Sequence, residues 1–283
     1  MEAGLLNLTL LADCHIHSNH SLDGHDAVDA ICHQAIQKGL GGVCFTEHLY
    51  LEPEDESYGF FDYNHYMADL EAARRRFGDY LLIWAGIEIS YQPHLEAEIT
   101  AFLEGKALDL VIGSVHYVDG EFVFGRLTGS RSEEEAYGRY FEVVYQAAQS
   151  NLFDVLGHLD VVKRFGVKHY GPFLYERYAG QIDAILKTMI DTGTALEVNT
   201  SGLWQAPAES YPGIEIIHRY RELGGKLLAV GSDAHRAPDV GRGIREVTDL
   251  LHRLGFRAVT VFEARQALQL SVSEARGRIE YQG

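Results

Sequence analysis

Seven short apolar runs, most of them followed by a stretch of helical periodicity, constrain this chain more than any other feature. The runs cover residues 6–14, 42–46, 81–89, 108–115, 153–156, 195–198 and 227–230. Helical segments are expected at 26–38, 64–77, 132–149, 172–192, 213–223 and 243–254. In the first of these Asp26 stands where a cap belongs, Val28, Ile31 and Ala35 share a face, and Gly39 can end the helix. Strands that alternate with helices form a parallel sheet, and about seven such units make a closed or nearly closed barrel. The 283 residues fit one such barrel, a single domain over residues 1–283, with no linker to divide it. The run 258–262 is expected to add an edge strand. Residues 50–63, acidic and aromatic without periodicity, and residues 117–131 are expected to be long loops of the kind that form lids or substrate walls.

The first run leads into Asp13-Cys14-His15-Ile16-His17-Ser18. In an extended strand the side-chain period is two, so His15 and His17 point to one face at the strand's exit. Imidazole nitrogen is a good ligand for zinc, iron and related ions. The other runs end alike: Thr46-Glu47-His48, Gly86-Ile87-Glu88, Gly113-Ser114-Val115-His116, Gly157-His158-Leu159-Asp160 and Gly231-Ser232-Asp233-Ala234-His235. In a βα barrel all strand C-termini open onto one rim, so residues spread along the chain converge there. Histidine mixed with carboxylates suits zinc, manganese or iron, and the absence of cysteine ligands argues against a closed structural zinc site. So many ligands exceed the needs of one ion, and a carboxylate such as Glu88 can bridge two. Clustered ions favour hydrolysis of a phosphate ester. Amide hydrolysis by a dinuclear barrel stays open on these grounds, although no lysine ends a run to serve as a carbamylated ligand.

The net charge of −17 argues against nucleic acid or an acidic membrane as partner. A small anionic substrate remains compatible, because a local cluster of metal ions outweighs the global charge. Cys14, Cys32 and Cys44 form no CxxC and read as small buried hydrophobes in a reducing compartment. The first eleven residues lack a basic leader pattern, and no apolar run reaches membrane-spanning length, so a cytoplasmic protein is expected. Oligomeric state is not legible.

Taken together, the motifs of residues 13–18, 46–48, 86–88, 113–116, 157–160 and 231–235 resemble the ordered motifs of the polymerase and histidinol phosphatase (PHP) superfamily. The likeness runs from Leu10 to about Leu254. Within it, Lys163-Arg164-Phe165-Gly166, the stretch 197–202 and Tyr211-Pro212 are most similar to the stand-alone L-histidinol-phosphate phosphatases. The resemblance implies a distorted (β/α)7 TIM-like barrel with a trinuclear metal centre at the C-terminal rim of the strands. It implies His15, His17, Glu88 and Asp233 on one ion, Glu88, His116 and His158 on a second, and Asp23, His48 and His235 on a third. His20 and His25 neighbour Asp23 and are either alternatives to it or solvent-facing.

The reaction expected is hydrolysis of a small phosphomonoester, L-histidinol phosphate first, by a hydroxide bridging two ions. Asp233 would orient or deprotonate the water, and His235, or a water on the third ion, would protonate the leaving alkoxide. Arg164, beside Lys163, is the expected phosphate clamp. The family tends to carry another arginine after its Asn-Thr-x-Gly-Leu motif, where this chain has Trp204-Gln205. Trp204 either stacks on a flat substrate or packs. The acidic stretch 52–56 either attracts a substrate amine or is a solvated face. Another small phosphate ester is the alternative substrate. A non-catalytic module serving a polymerase fits less well, given the acidic charge and the retained ligands.

Overall fold

The computed structural model describes residues 11–271. Strands β1 (Ala12–Ile16), β2 (Gly42–Leu49), β3 (Leu82–Ser90) and β4 (Leu110–Ser114) are followed by a small hairpin, β5 (Tyr117–Val118) and β6 (Glu121–Phe122). Strands β7 (Val155–Leu156), β8 (Ala195–Asn199) and β9 (Leu228–Gly231) complete a seven-stranded sheet in the order β1-β2-β3-β4-β7-β8-β9. Every pairing in it is parallel. The strands are buried almost throughout, as both faces of a parallel sheet must be when helices cover the outside. The cover comprises α1 (Val28–Gln37), α2 (Tyr63–Phe77), α3 (Glu96–Leu103), α4 (Arg126–Ser130), α5 (Glu133–Ser150), α6 (Lys163–Tyr170), α7 (Tyr175–Thr192), α8 (Ile214–Glu222) and α9 (Ile244–Arg253). Local chemistry sets their starts. Asp62 accepts from the amides of Asn64 and His65 at the head of α2, and Ser132 forms a capping box with Glu135 at the head of α5.

The first and last strands close the sheet into a TIM-like barrel. Ile16 and Ala234 form a parallel bridge, with His17 N–H donating to Ala234 O at 2.8 Å and Asp233 N–H donating to His15 O at 2.8 Å. The buried carboxylate of Asp13 holds the seam. It accepts from Ser232 N–H (2.8 Å), Ser232 Oγ (2.5 Å) and Gly241 N–H (2.8 Å). Gly231 is required at this seam, because a Cβ there would lie 2.3 Å from the Cβ of His15 and 2.9 Å from a carboxylate oxygen of Glu197.

Three local expectations are corrected. Asp26 does not cap α1; its carboxylate accepts from Ala237 N–H at 2.8 Å, tying the loop after β1 to the loop after β9. The run 258–262 is no edge strand of the barrel. It forms β10 (Ala258–Glu263), which pairs only with β11 (Gln266–Ser271) in an antiparallel hairpin. Both residues of its two-residue turn, Ala264 and Arg265, take positive φ, the geometry a tight hairpin demands. Asp154 compensates by accepting from the Arg265 guanidinium at 2.9 Å. Residues 117–131 are not one loop, since they hold β5, β6 and α4. The first strand begins at Ala12 among the described residues, and residues 6–10 of that run lie outside them.

Replacing Gly231 with Ala should therefore overpack the seam by about 1–3 kcal/mol. The expected loss of Tm is on the order of 5 °C in calorimetry of the metal-free protein. An unchanged Tm would show that the seam tolerates a methyl group.

Candidate metal centre

Each sequence-assigned ligand arrives at the same rim of the barrel. His15 is the penultimate residue of β1 and His17 follows the strand, with their Nε2 atoms 3.1 Å apart. Asp233 Oδ1 lies 3.7 and 3.4 Å from these nitrogens, and Glu88 Oε2 lies 3.4 and 3.5 Å from them. A second cluster forms around the other oxygen of Glu88, which is 3.0 Å from His158 Nε2 and 3.5 Å from His116 Nε2. These two imidazoles are 3.3 Å apart. In the third cluster His48 and His235 bring their Nε2 atoms to 3.4 Å, and Asp23 Oδ2 lies 3.6 and 3.3 Å away. The ring of His17 lies against both His48 and His235 and is within ligating reach of this cluster too. Asp233 and His158 both hold positive φ (54° and 21°), a strained backbone of the kind found at functional sites. His20 and His25 join none of these clusters: His20 bonds Asp69 at 3.0 Å, and His25 lies at the surface near Arg236.

The donor set fits divalent cations. A tetrahedral ion about 2.1 Å from each of two imidazole nitrogens holds them about 3.3–3.4 Å apart, and the three imidazole pairs here are separated by 3.1, 3.3 and 3.4 Å. Glu88 Oε2 and His158 Nδ1 are buried without a hydrogen-bond partner among the described residues. His48 Nδ1 is 2.8 Å from Glu88 Oε2 but outside the angles a hydrogen bond needs. Charge is balanced to the same end. Burial opposes ionisation of Glu88, but His15, His48 and His116 outweigh it and hold the carboxyl well below its usual range. Burial likewise opposes the charge on Asp233, which His15, His17 and His235 keep ionised. Burial pulls His48 down, yet Glu88 and Asp23 push it up to about 10, and Glu197, Glu88 and Asp233 raise His15 in the same way. His17 moves the other way, lowered by burial and by the neighbouring imidazoles of His48 and His235.

Residues 13–201 match the PHP domain family. The chain belongs to this family. A probable histidinol-phosphatase of Deinococcus radiodurans is 32% identical over 89% of this chain and 97% of its own length. The histidinol-phosphatase of Lactococcus lactis is 28% identical over 88% of this chain and 93% of its own. A crystal structure of histidinol phosphate phosphatase from L. lactis, complexed with zinc, L-histidinol and phosphate, superposes with a TM-score of 0.84 at 25% identity, covering 90% of this chain and 98% of that one.

Within this PHP barrel, outer partners fix the ligands. Glu197, on β8, binds His15 Nδ1 and the backbone N–H of His158, each at 2.5 Å, and so steadies two clusters at once. Asn199 bridges Glu197 and Asp233 at 3.3–3.4 Å. Tyr50 OH lies 2.9 Å from His116 Nδ1, and Ser21, itself held by Glu47, lies 3.3 Å from His17 Nδ1. Such contacts set tautomer and ring orientation. None of these residues was assigned a role from sequence. The signal that could have found Glu197 is a lone acid inside the apolar run 195–198.

The three sequence-assigned substrate residues separate. Lys163 is fully buried, and its ammonium donates to Asp160 (2.7 Å), Glu209 (2.8 Å) and Ser210 O (3.1 Å). All three N–H donors are spent inside the protein, so its expected place at the substrate is corrected: Lys163 braces the rim. Arg164 stacks on Phe124 (5.1 Å), whose ring lies 5.7 Å from that of His116, and no carboxylate among the described residues pairs with it. Trp204 is exposed beside the third cluster and does not pack into the core.

Glu197→Gln should lower zinc affinity about 10–100-fold, read by competitive titration with a chelating dye. Because neighbouring carboxylates raise His15 and His48 toward their protonated forms, zinc must compete with protons there and should bind more tightly as pH rises. Calorimetry in two buffers of different ionisation enthalpy should show that proton release; a buffer-independent heat would contradict it.

Proposed function

We propose that this chain is a metal-dependent phosphomonoesterase that hydrolyses L-histidinol phosphate to L-histidinol and phosphate. The observation that carries the reading is the convergence of nine ligand residues on one barrel rim, on a fold shared with a phosphatase structure holding zinc, L-histidinol and phosphate. His15, His17, Glu88 and Asp233 would hold one divalent ion, Glu88, His116 and His158 a second, and Asp23, His48 and His235 a third. Zinc suits this nitrogen and oxygen donor set, with manganese or iron as the other candidates. Such ions supply Lewis acidity toward the phosphoryl oxygens and make water a stronger acid.

The protein's own groups do the rest. Asp233, kept ionised by its imidazole neighbours, orients the attacking water and accepts its proton. His235 faces the same space, but its Nδ1 is held 3.0 Å from Asp233 O and its Nε2 turns to His48 and Asp23, so the departing alkoxide takes its proton from water rather than from this imidazole as the P–O bond breaks. Arg164, which meets no carboxylate among the described residues, grips a phosphoryl oxygen. Asp55 and Glu52, which reach the Tyr117 and His94 side of the rim, favour a substrate that carries a cationic amine.

A steady-state screen of phosphate esters on zinc- or manganese-loaded enzyme tests the substrate. The expected kcat/KM for L-histidinol phosphate exceeds that for p-nitrophenyl phosphate by roughly 10²-fold. Parity would remove the substrate and leave the phosphoesterase class standing. Asp233→Asn should lose about 10³-fold or more in kcat; near-normal turnover would remove the mechanism.

A further inference from the structure

A cleft of about 240 Å³ opens beside Asp233 and His235 and is lined also by Trp204, Gln205, Arg236 and Arg242. Trp204 exposes 54% of its surface, an unusual cost for an indole. Its partner is the guanidinium of Arg242, whose Cζ lies 4.0 Å from the ring centre, within the range of cation–π stacking.

The backbone that presents Arg242 is fixed from below. Gly241 N–H donates to the buried Asp13 carboxylate at 2.8 Å, and the Arg242 carbonyl accepts from Thr200 Oγ1 at 2.6 Å. Gly241 and Gly243 flank it in the left-handed region, at φ 71° and 79°. Asp13 also holds Ser232, the residue before Asp233, so one carboxylate sets both the arginine's base and the ligand loop. The guanidinium itself is largely uncommitted. Its Nη1 meets Asp239 Oδ1 at 3.2 Å in a half-exposed, solvent-screened pair, and its other N–H groups have no protein acceptor among the described residues. Among the acids that line the cleft, Asp239 is engaged this way and Asp233 belongs to the metal clusters. Free guanidinium donors beside a site for phosphoryl transfer call for an anion.

We propose that Arg242, oriented by stacking on Trp204, donates to a phosphoryl oxygen of the substrate. Arg164 grips the same group from the His116 side and Arg242 from the Asp233 side, so the phosphoryl group is clasped by two guanidiniums. Trp204 is a positioning residue that acts through Arg242. The inference rests on the phosphomonoesterase reading above.

Calorimetric titration of inorganic phosphate into the metal-loaded protein tests it, with metal content measured on each variant. Arg242→Ala should weaken phosphate about tenfold or more, and Arg242→Lys should recover part of that, because an ammonium keeps the charge without the fork. Trp204→Ala should weaken it less, about threefold, and Trp204→Phe should restore it, since a phenyl ring still stacks. With p-nitrophenyl phosphate the Arg242→Ala variant should raise KM more than it lowers kcat. Unchanged phosphate affinity in Arg242→Ala overturns the proposal. So does a loss that tracks lost metal, which would place the effect in the Asp13 seam. A wild-type enzyme that hydrolyses aryl phosphates but not L-histidinol phosphate overturns the substrate reading alone, and the phosphate titration still decides Arg242.

Discussion

One buried carboxylate organises the rim of this barrel. Glu88 lies within 3.5 Å of five imidazoles, those of His15, His17, His48, His116 and His158. A lone carboxylate at this depth would neutralise itself by taking up a proton, and a lone imidazole would shed one. Here each keeps the other in its charged or ligating form. The arrangement is possible because β3 lies between β2 and β4, with His48 directly opposite Glu88 in the β2–β3 register and Ile112 opposite it in β3–β4. A slip of one residue would turn Glu88 out of the barrel and leave the imidazoles facing one another. Register, more than any single bond, is what the centre depends on.

Much of this was legible in the residues themselves. Strand exits marked by histidine or acid after an apolar run identify the rim, because only the two-residue period and a common strand direction are needed to bring them together. Residues whose role depends on a partner far along the chain were harder to read. Glu197 sits inside a strand, where an acid has no local reason to be, and its meaning appears only when His15 and the backbone of His158 arrive beside it. Lys163 follows a ligand in sequence but turns inward, because buried Asp160 demands a counter-charge more strongly than solvent attracts the ammonium. The hairpin after α9 reads locally as one more strand; what separates it from the barrel is closure of β9 on β1, which leaves no edge to join.

The surroundings of the rim divide by chemistry. On the His116 side are Arg164, Phe124 and the acidic stretch whose Asp55 holds Tyr117. On the Asp233 side is the stacked pair of the Trp204 indole and the Arg242 guanidinium. The ligands between them are buried and hydrogen-bonded from behind, whereas these flanking groups are half-exposed and carry few protein partners. Substitution of side chains of that second kind should disturb the clustered histidines and acids least.

The seam between β1 and β9 has a consequence for the life of the chain. Asp13 and Ser232, which join there, stand 219 residues apart. His15 and Asp233 therefore cannot meet while a ribosome is still extending the chain between them. Contacts of such long range form late in folding, and metal acquisition must follow rather than guide the earlier steps. An ion held by residues of both ends would act as a clasp on the finished barrel, and its loss should first be felt as an opening at the seam rather than as unravelling of the helices outside.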